Sequence, residues 1–147
     1  MELASRNKQT VTSFFEFFSA GNAKDAFALV APNVSWWVPE SLPFGGTFDR
    51  TGYLTKVLPK FAGFQGPLKL TVKSLVAEGD SVAAEVESYA IHTCGEPTTF
   101  VYNNKYHFKI TLKDGLFVEV KEYMDTYHLA ELYAVTQTDA CRAKLKH

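Results

Sequence analysis

The sequence predicts an α+β chain in which helices come first, strands follow, and the helices pack on one face of a curved sheet. Three observations carry this. Apolar residues recur at helical spacing as far as Phe61, and from Pro67 onward the period changes to two. Gly79-Asp80 and Asp114-Gly115 interrupt the alternating region where hairpins need tight turns. At 147 residues, the chain makes one domain, 1–147, with no room for a second core.

The helical half reads in order. Val11, Phe14, Phe15 and Phe18 share a stripe over residues 5–20, with Lys8 and Glu16 on other faces and Gly21 as the stop. Asn22 caps a second helix whose Ala26, Leu29 and Val30 form a stripe that Pro32 ends. Residues 34–38, Val-Ser-Trp-Trp-Val, make a short strand closed by Pro39, and a loop with Pro43, Gly45 and Gly46 follows. Leu54, Val57, Leu58 and Phe61 recur as on a third helix over residues 51–61, kinked or ended by Pro59.

Four strands then form an antiparallel meander. Leu68, Leu70 and Val72 alternate with Lys69, Thr71 and Lys73. Val82, Ala84, Val86, Ser88 and Ala90 alternate with Glu85, Glu87 and Tyr89 until Gly95-Glu96-Pro97 breaks the run. Residues 100–112 and 116–124 form the last pair. A type I turn with a glycine bulge at Lys113-Asp114-Gly115 pairs Leu112 with Leu116, Ile110 with Val118, Phe108 with Val120, Tyr106 with Glu122 and Asn104 with Met124. Apolar matching and a Lys109–Glu119 charge pair favour this over a two-residue turn, which sets Lys109 against Val120. One face then holds a single carboxylate, Glu122, among rings. The other carries His107, Lys109, Phe117, Glu119, Lys121 and Tyr123, a mixture that suits a homodimer interface.

Charge excludes some functions. With 15 basic against 16 acidic residues, no basic field exists to hold a nucleic acid, and no basic helix stands out to lie on a membrane. Apolar runs fall far short of the roughly 20 residues of a membrane span, and no signal peptide is visible. Cys94 and Cys141, in no metal-type spacing, suit a reduced cytoplasm, with one disulfide left open. His92-Thr93-Cys94 offers too few ligands for a metal, so no metal or cofactor is expected. The 12 Phe, 7 Tyr and 2 Trp need either a large core or a cavity that leaves some rings uncovered.

This layout, with Ser19-Ala20-Gly21-Asn22, Val34-Ser35-Trp36-Trp37-Val38-Pro39 and Val120-Lys121-Glu122-Tyr123-Met124-Asp125-Thr126, resembles the SnoaL-like branch of the nuclear-transport-factor-two-like superfamily. The resemblance covers about residues 5–135. It implies a cone-shaped α+β barrel with a pocket between helices and sheet, and often a dimer through the outer sheet face. Ketosteroid isomerases of this superfamily carry a tyrosine where this chain has Phe14, and a general-base aspartate where it has Val38. Both departures count against that mechanism. Limonene-type epoxide hydrolases carry an arginine and an aspartate where Val86 and Ser88 stand, with a second aspartate aligned to Glu122. SnoaL cyclases use a single acid, for which Glu122 is the counterpart.

Glu122 is therefore the leading candidate for acid/base work, because a carboxylate walled by Val120, Met124 and Tyr106 resists ionisation. A structural acid bonded to Tyr106 or a helix end is the competing reading. Tyr106 and Asn104 are candidate donors to a substrate oxygen. Trp36 and Trp37 face opposite ways; Trp37 is the choice for the pocket. Phe14, Tyr53, Val86, Ser88, Phe108, Val120 and Met124 complete the expected lining. Asp125 is read as a helix cap, and His107 and His128 as surface or interface residues. The function expected is cofactor-free isomerisation, cyclisation or dehydration of a small apolar substrate bearing oxygen. The alternatives are a non-catalytic carrier and a structural dimer module.

Overall fold

The computed structural model describes residues 2–94, 99–138 and 141–142. Helix α1 (Leu3–Ser19) turns its buried stripe of Val11, Phe14 and Phe15 inward. At its end the Ser19 hydroxyl both accepts from Leu70 N–H (2.8 Å) and donates to Leu70 C=O (3.0 Å), which fastens the helix to the sheet. Helix α2 (Ala23–Phe27) is capped by Asn22, whose side chain accepts from Asp25 N–H.

Strand β1 (Val30–Val38) begins earlier than its sequence suggests, since Pro32 lies inside it rather than ending the helix before it. The pairing of β1 with β7 is irregular between Val30 and Ser35, and such an irregularity tolerates a residue without an N–H. After β2 (Gly46–Phe48), α3 (Arg50–Gly52) continues as a π turn over Tyr53–Val57 and a 3₁₀ turn over Leu58–Phe61. The expected third helix is thus present in three pitches, with Pro59 in the last.

Strands β3 (Lys69–Glu78), β4 (Ser81–His92), β5 (Phe100–Tyr102), β6 (Lys105–Lys113) and β7 (Leu116–Met124) follow. The sheet order is β2-β1-β7-β6-β4-β3, with β5 on β4; β1 and β7 run parallel and the other pairs antiparallel. Helices packed on this strongly curled mixed sheet make the cone-shaped α+β fold. Helix α4 (Thr126–Thr136) follows β7, and Asp125 caps it, as its position suggests, by accepting from Tyr127 and His128 N–H.

The β6–β7 register corrects the expected one. Asp114 (φ 51°) and Gly115 (φ 79°) are both left-handed, so the turn has two residues of the I′ kind and pairs Lys113 with Leu116 and Leu112 with Phe117. An irregularity next to Thr111 then admits one extra residue on β7, after which Ile110 faces Val120, Phe108 faces Glu122 and Tyr106 faces Met124. The total shift is two residues, so Glu122 keeps its inward face but meets Phe108 rather than Tyr106. Between turn and bulge the shift is one residue. Phe117, expected outside, is therefore fully buried against Phe14 at 5.1 Å between ring centres. Lys109 lies opposite Lys121, so the expected Lys109–Glu119 pair does not form across the ladder.

The strand expected over residues 100–112 is broken at Asn103 and Asn104. Cys94 and Cys141, far apart in sequence, form a disulfide with their Cα atoms 5.0 Å apart. The break expected at Gly95-Glu96-Pro97 lies outside the described residues. Among the described residues no helix is long and apolar enough to cross a membrane.

Candidate functional site

Paired residues on neighbouring strands point to the same side, and this places the two tryptophans. Trp36 pairs with Val120 on the inner face, whereas Trp37 pairs with Lys121 on the outer one. The pocket residue is therefore Trp36, which is buried. Trp37, the sequence choice, instead packs at a tilt against Tyr123 (4.8 Å between ring centres) and donates its indole N–H to Glu40 (2.6 Å) on the outside. The parity was legible: Val34, Trp36 and Val38 alternate with Ser35 and Trp37.

Glu122 stands in the middle of the cone, 3% exposed. Trp36 Nε1–H and the Tyr53 hydroxyl each donate to the same oxygen, Oε1, at 2.9 Å. The indole reaches it from β1 and the phenol from the π turn after α3, their rings 4.2 Å apart. Among the described residues Oε2 has no hydrogen-bond partner, and the carboxyl lines the central cavity. Burial pushes the Glu122 carboxyl up, the bonds from Trp36 and Tyr53 pull it partway back, and the balance leaves it at about 7. Burial also raises the Tyr53 and Tyr106 hydroxyls well above the ordinary tyrosine range, so both remain donors at neutral pH. Trp36→Phe removes one donor to Oε1. Since a hydrogen bond to a charged group contributes about 1.5–3 kcal/mol, it should raise the Glu122 midpoint by about one unit or more in a carboxyl ¹³C titration.

Tyr106 also lines the cavity, but it bonds to Tyr102 rather than to Glu122. Either hydroxyl of that pair can be the donor. Asn104 Nδ2–H donates to the Tyr102 oxygen (3.0 Å), and Tyr102 is fully buried with Tyr106 as its other hydroxyl partner. When Tyr102 donates to Tyr106, the Tyr106 hydrogen is left for the cavity; when Tyr106 donates, its oxygen is left to accept. Asn104 is thereby placed behind the site. Its Nδ2 also donates to Asp125 C=O (3.0 Å), and its Oδ1 accepts from Lys105 and Asp125 N–H. Its amide is occupied by the β5–β6 break and bears on the pocket only through Tyr102.

The remaining wall is apolar and mostly aromatic. Phe14, Phe15, Phe27, Trp36, Tyr53 and Phe108 enclose it beside Glu122 and Tyr106. Phe14, Tyr53 and Phe108 are among the residues of this wall. Val86 and Val120 are core residues outside this lining, and Met124 is half-buried at the end of β7. Ser88 is buried, and its hydroxyl accepts from Asn104 N–H (2.9 Å) to hold the strand break. His107 is exposed, as expected, but His128 is packed, stacking on Tyr102 at 5.3 Å and accepting from Asn103 N–H. Among the described residues that line the cavity, Glu122 is the one carboxyl and there is no imidazole or thiol, which is short of a metal's usual donor set.

Free space at the carboxyl is small. About 30 Å³ is open to the centres of water molecules, enough for one or two, although the cleft with its solvent-open side measures about 380 Å³. Phe18, Leu58, Phe61 and Leu68 form the outer wall, and the same four side chains line an adjoining vestibule of about 310 Å³.

Fold and site together define a cone-shaped pocket protein with one buried carboxyl at the centre. The chain belongs to the SnoaL-like domain family, whose profile matches residues 11–120. A search of curated proteins finds no match. Among solved structures it is similar to Bal32a from a soil-derived mobile gene cassette (18% identity, 90% of this chain and 99% of that one, TM-score 0.75). It is similar also to TerC co-crystallised with polyporic acid (20%, 88% and 98%, 0.72). A third is IdmH, a putative polyketide cyclase from Streptomyces antibioticus (22%, 87% and 98%, 0.71). At these identities the likeness establishes the fold.

Proposed function

We propose that this protein is a cofactor-free acid/base enzyme acting on a small apolar substrate whose carbonyl end reaches the bottom of the cone. The observation that carries the reading is the asymmetry of Glu122: both protein donors hold Oε1, and Oε2 is left unengaged at the cavity. A carboxyl near pH 7 can take a proton in one step and return it in the next. Oε2 removes a proton from the carbon beside the carbonyl, and the Tyr106 hydroxyl donates to the oxygen that gains charge. Trp36 and Tyr53 steady the carboxylate through Oε1. Return of the proton at another atom gives isomerisation, and attack of the carbanion on a second carbonyl gives cyclisation. The polyketide cyclase among the structural neighbours agrees with this class.

The test is incorporation of solvent deuterium into small cyclic β-diketones and enones, followed by proton NMR. Exchange detects the proton step whatever the final product is. Wild type should exchange the carbon-bound protons faster than buffer does, and Glu122→Gln should not. A non-catalytic carrier would bind the same molecules through the same rings and leave exchange at the buffer rate.

A homodimer belongs to this reading, through the outer sheet face. Tyr123 (47% exposed) stands beside Trp37 there, and Tyr89 (52%) lies outward on β4. Light scattering at micromolar protein should give twice the chain mass; the monomer mass alone would reject the dimer.

A further inference from the structure

We propose that His92, Cys94 and Cys141 hold a zinc ion when the two cysteines are reduced. One ring nitrogen of His92 and the two Sγ atoms lie within 4.8 Å of one another. A tetrahedral site with Zn–S near 2.3 Å and Zn–N near 2.0–2.1 Å sets its ligand atoms about 3.5–3.8 Å apart. Opening the sulfur–sulfur bond and drawing the imidazole in by about an ångström reaches that geometry.

His92 is already oriented as a ligand. Its Nε2–H donates to Ala62 C=O at 3.1 Å, the backbone contact by which ligating histidines commonly fix ring and tautomer. Nδ1 is therefore the lone-pair nitrogen. It lies on the cysteine side, 3.1 Å from Cys94 N, whose N–H it accepts and which the metal would displace. His92 and Cys141 are each 1% exposed, so both ligands are held by packing, while the half-buried Cys94 leaves room for a water as fourth ligand. The sequence offered only His92 and Cys94, two residues apart; the fold brings Cys141 from beyond α4 to complete the set.

Disulfide and metal exclude each other, which makes the site redox-dependent. A dithiol or phosphine supplies two electrons, the disulfide becomes two thiols, and zinc displaces one proton from each. The segment at Cys141 is then tied to the end of β4 in either state, by sulfur when oxidised and by metal when reduced.

The full chain, reduced anaerobically with a phosphine and desalted, should bind one cobalt(II) with tetrahedral d–d bands and a thiolate charge-transfer band. One equivalent of zinc should displace it. The oxidised chain should bind none. Cys141→Ser should weaken zinc binding by about 100-fold or more, since loss of a ligand exceeds the usual effect of its supporting shell. A folded, reduced chain without the thiolate band overturns the proposal, as does zinc binding that survives Cys141→Ser. If reduction unfolds the chain, zinc should restore its far-ultraviolet circular dichroism, and failure to do so counts against the site equally.

Discussion

Glu122→Gln should gain stability relative to the wild type as pH rises from 4.5 to 7, by about 3 kcal/mol in all, and then run parallel to it. The sign follows from the direction of the shift. The Glu122 carboxyl is near 4.5 in an open chain and about 7 in the fold, so between these values the folded state holds the proton that the unfolded state has released. Stability therefore falls with rising pH across that window, by about 1.4 kcal/mol for each unit of separation. Above pH 7 both states are ionised and the loss is complete. Glutamine keeps the shape and an oxygen for Trp36 and Tyr53 but has no charge to bury. The difference between the two proteins is the quantity to measure, because His92 acts oppositely. Burial lowers its imidazole, so its contribution is lost as pH falls below 6.5. Urea unfolding of both proteins at half-unit intervals supplies the curves. If they run parallel from pH 4.5 to 8, Glu122 does not carry a raised pKa.

The second large effect is on rate. Where wild type catalyses exchange or turnover of a carbonyl substrate, Glu122→Gln should lower kcat by about 10²–10⁴, the usual contribution of a positioned general base. Substrate binding should change little, because rings make nearly the whole wall and glutamine preserves the volume. The wild-type rate should rise with pH to a plateau above about pH 7 as the carboxyl ionises. A variant that retains full activity removes Glu122 from the mechanism; loss of binding together with rate would make it a structural acid.

Much of this arrangement was legible in the residues. The switch of period at Pro67 separated helices from strands, and alternation along β6 and β7 put Glu122 inside. The inner face survived an incorrect register because the turn and the bulge together moved the pairing by two residues, an even number. Phe117 had no such protection, since between turn and bulge the offset is odd. No local signal marks a β-bulge on a strand whose residues all favour extended backbone. Trp36 was recoverable from its parity with Val34 and Val38. Tyr53 was expected in the lining, but its bond to Glu122 spans 69 residues, beyond any periodicity. Asn104 looked like a pocket donor because residues 100–112 read as one strand. The break at that position turns its amide to backbone groups that would otherwise be unpaired. The meeting of Cys94 with Cys141 likewise depends on tertiary structure alone.

The claim on which the account rests is that one carboxyl, held by two donors on one oxygen, sits protonated about half the time at neutral pH inside an aromatic cone. A ¹³C titration of glutamate-labelled protein, with Glu122 assigned by its loss in Glu122→Gln, measures this directly. The account predicts a midpoint near pH 7 for that resonance. A midpoint near 4.5, the value of an exposed glutamate, would contradict it.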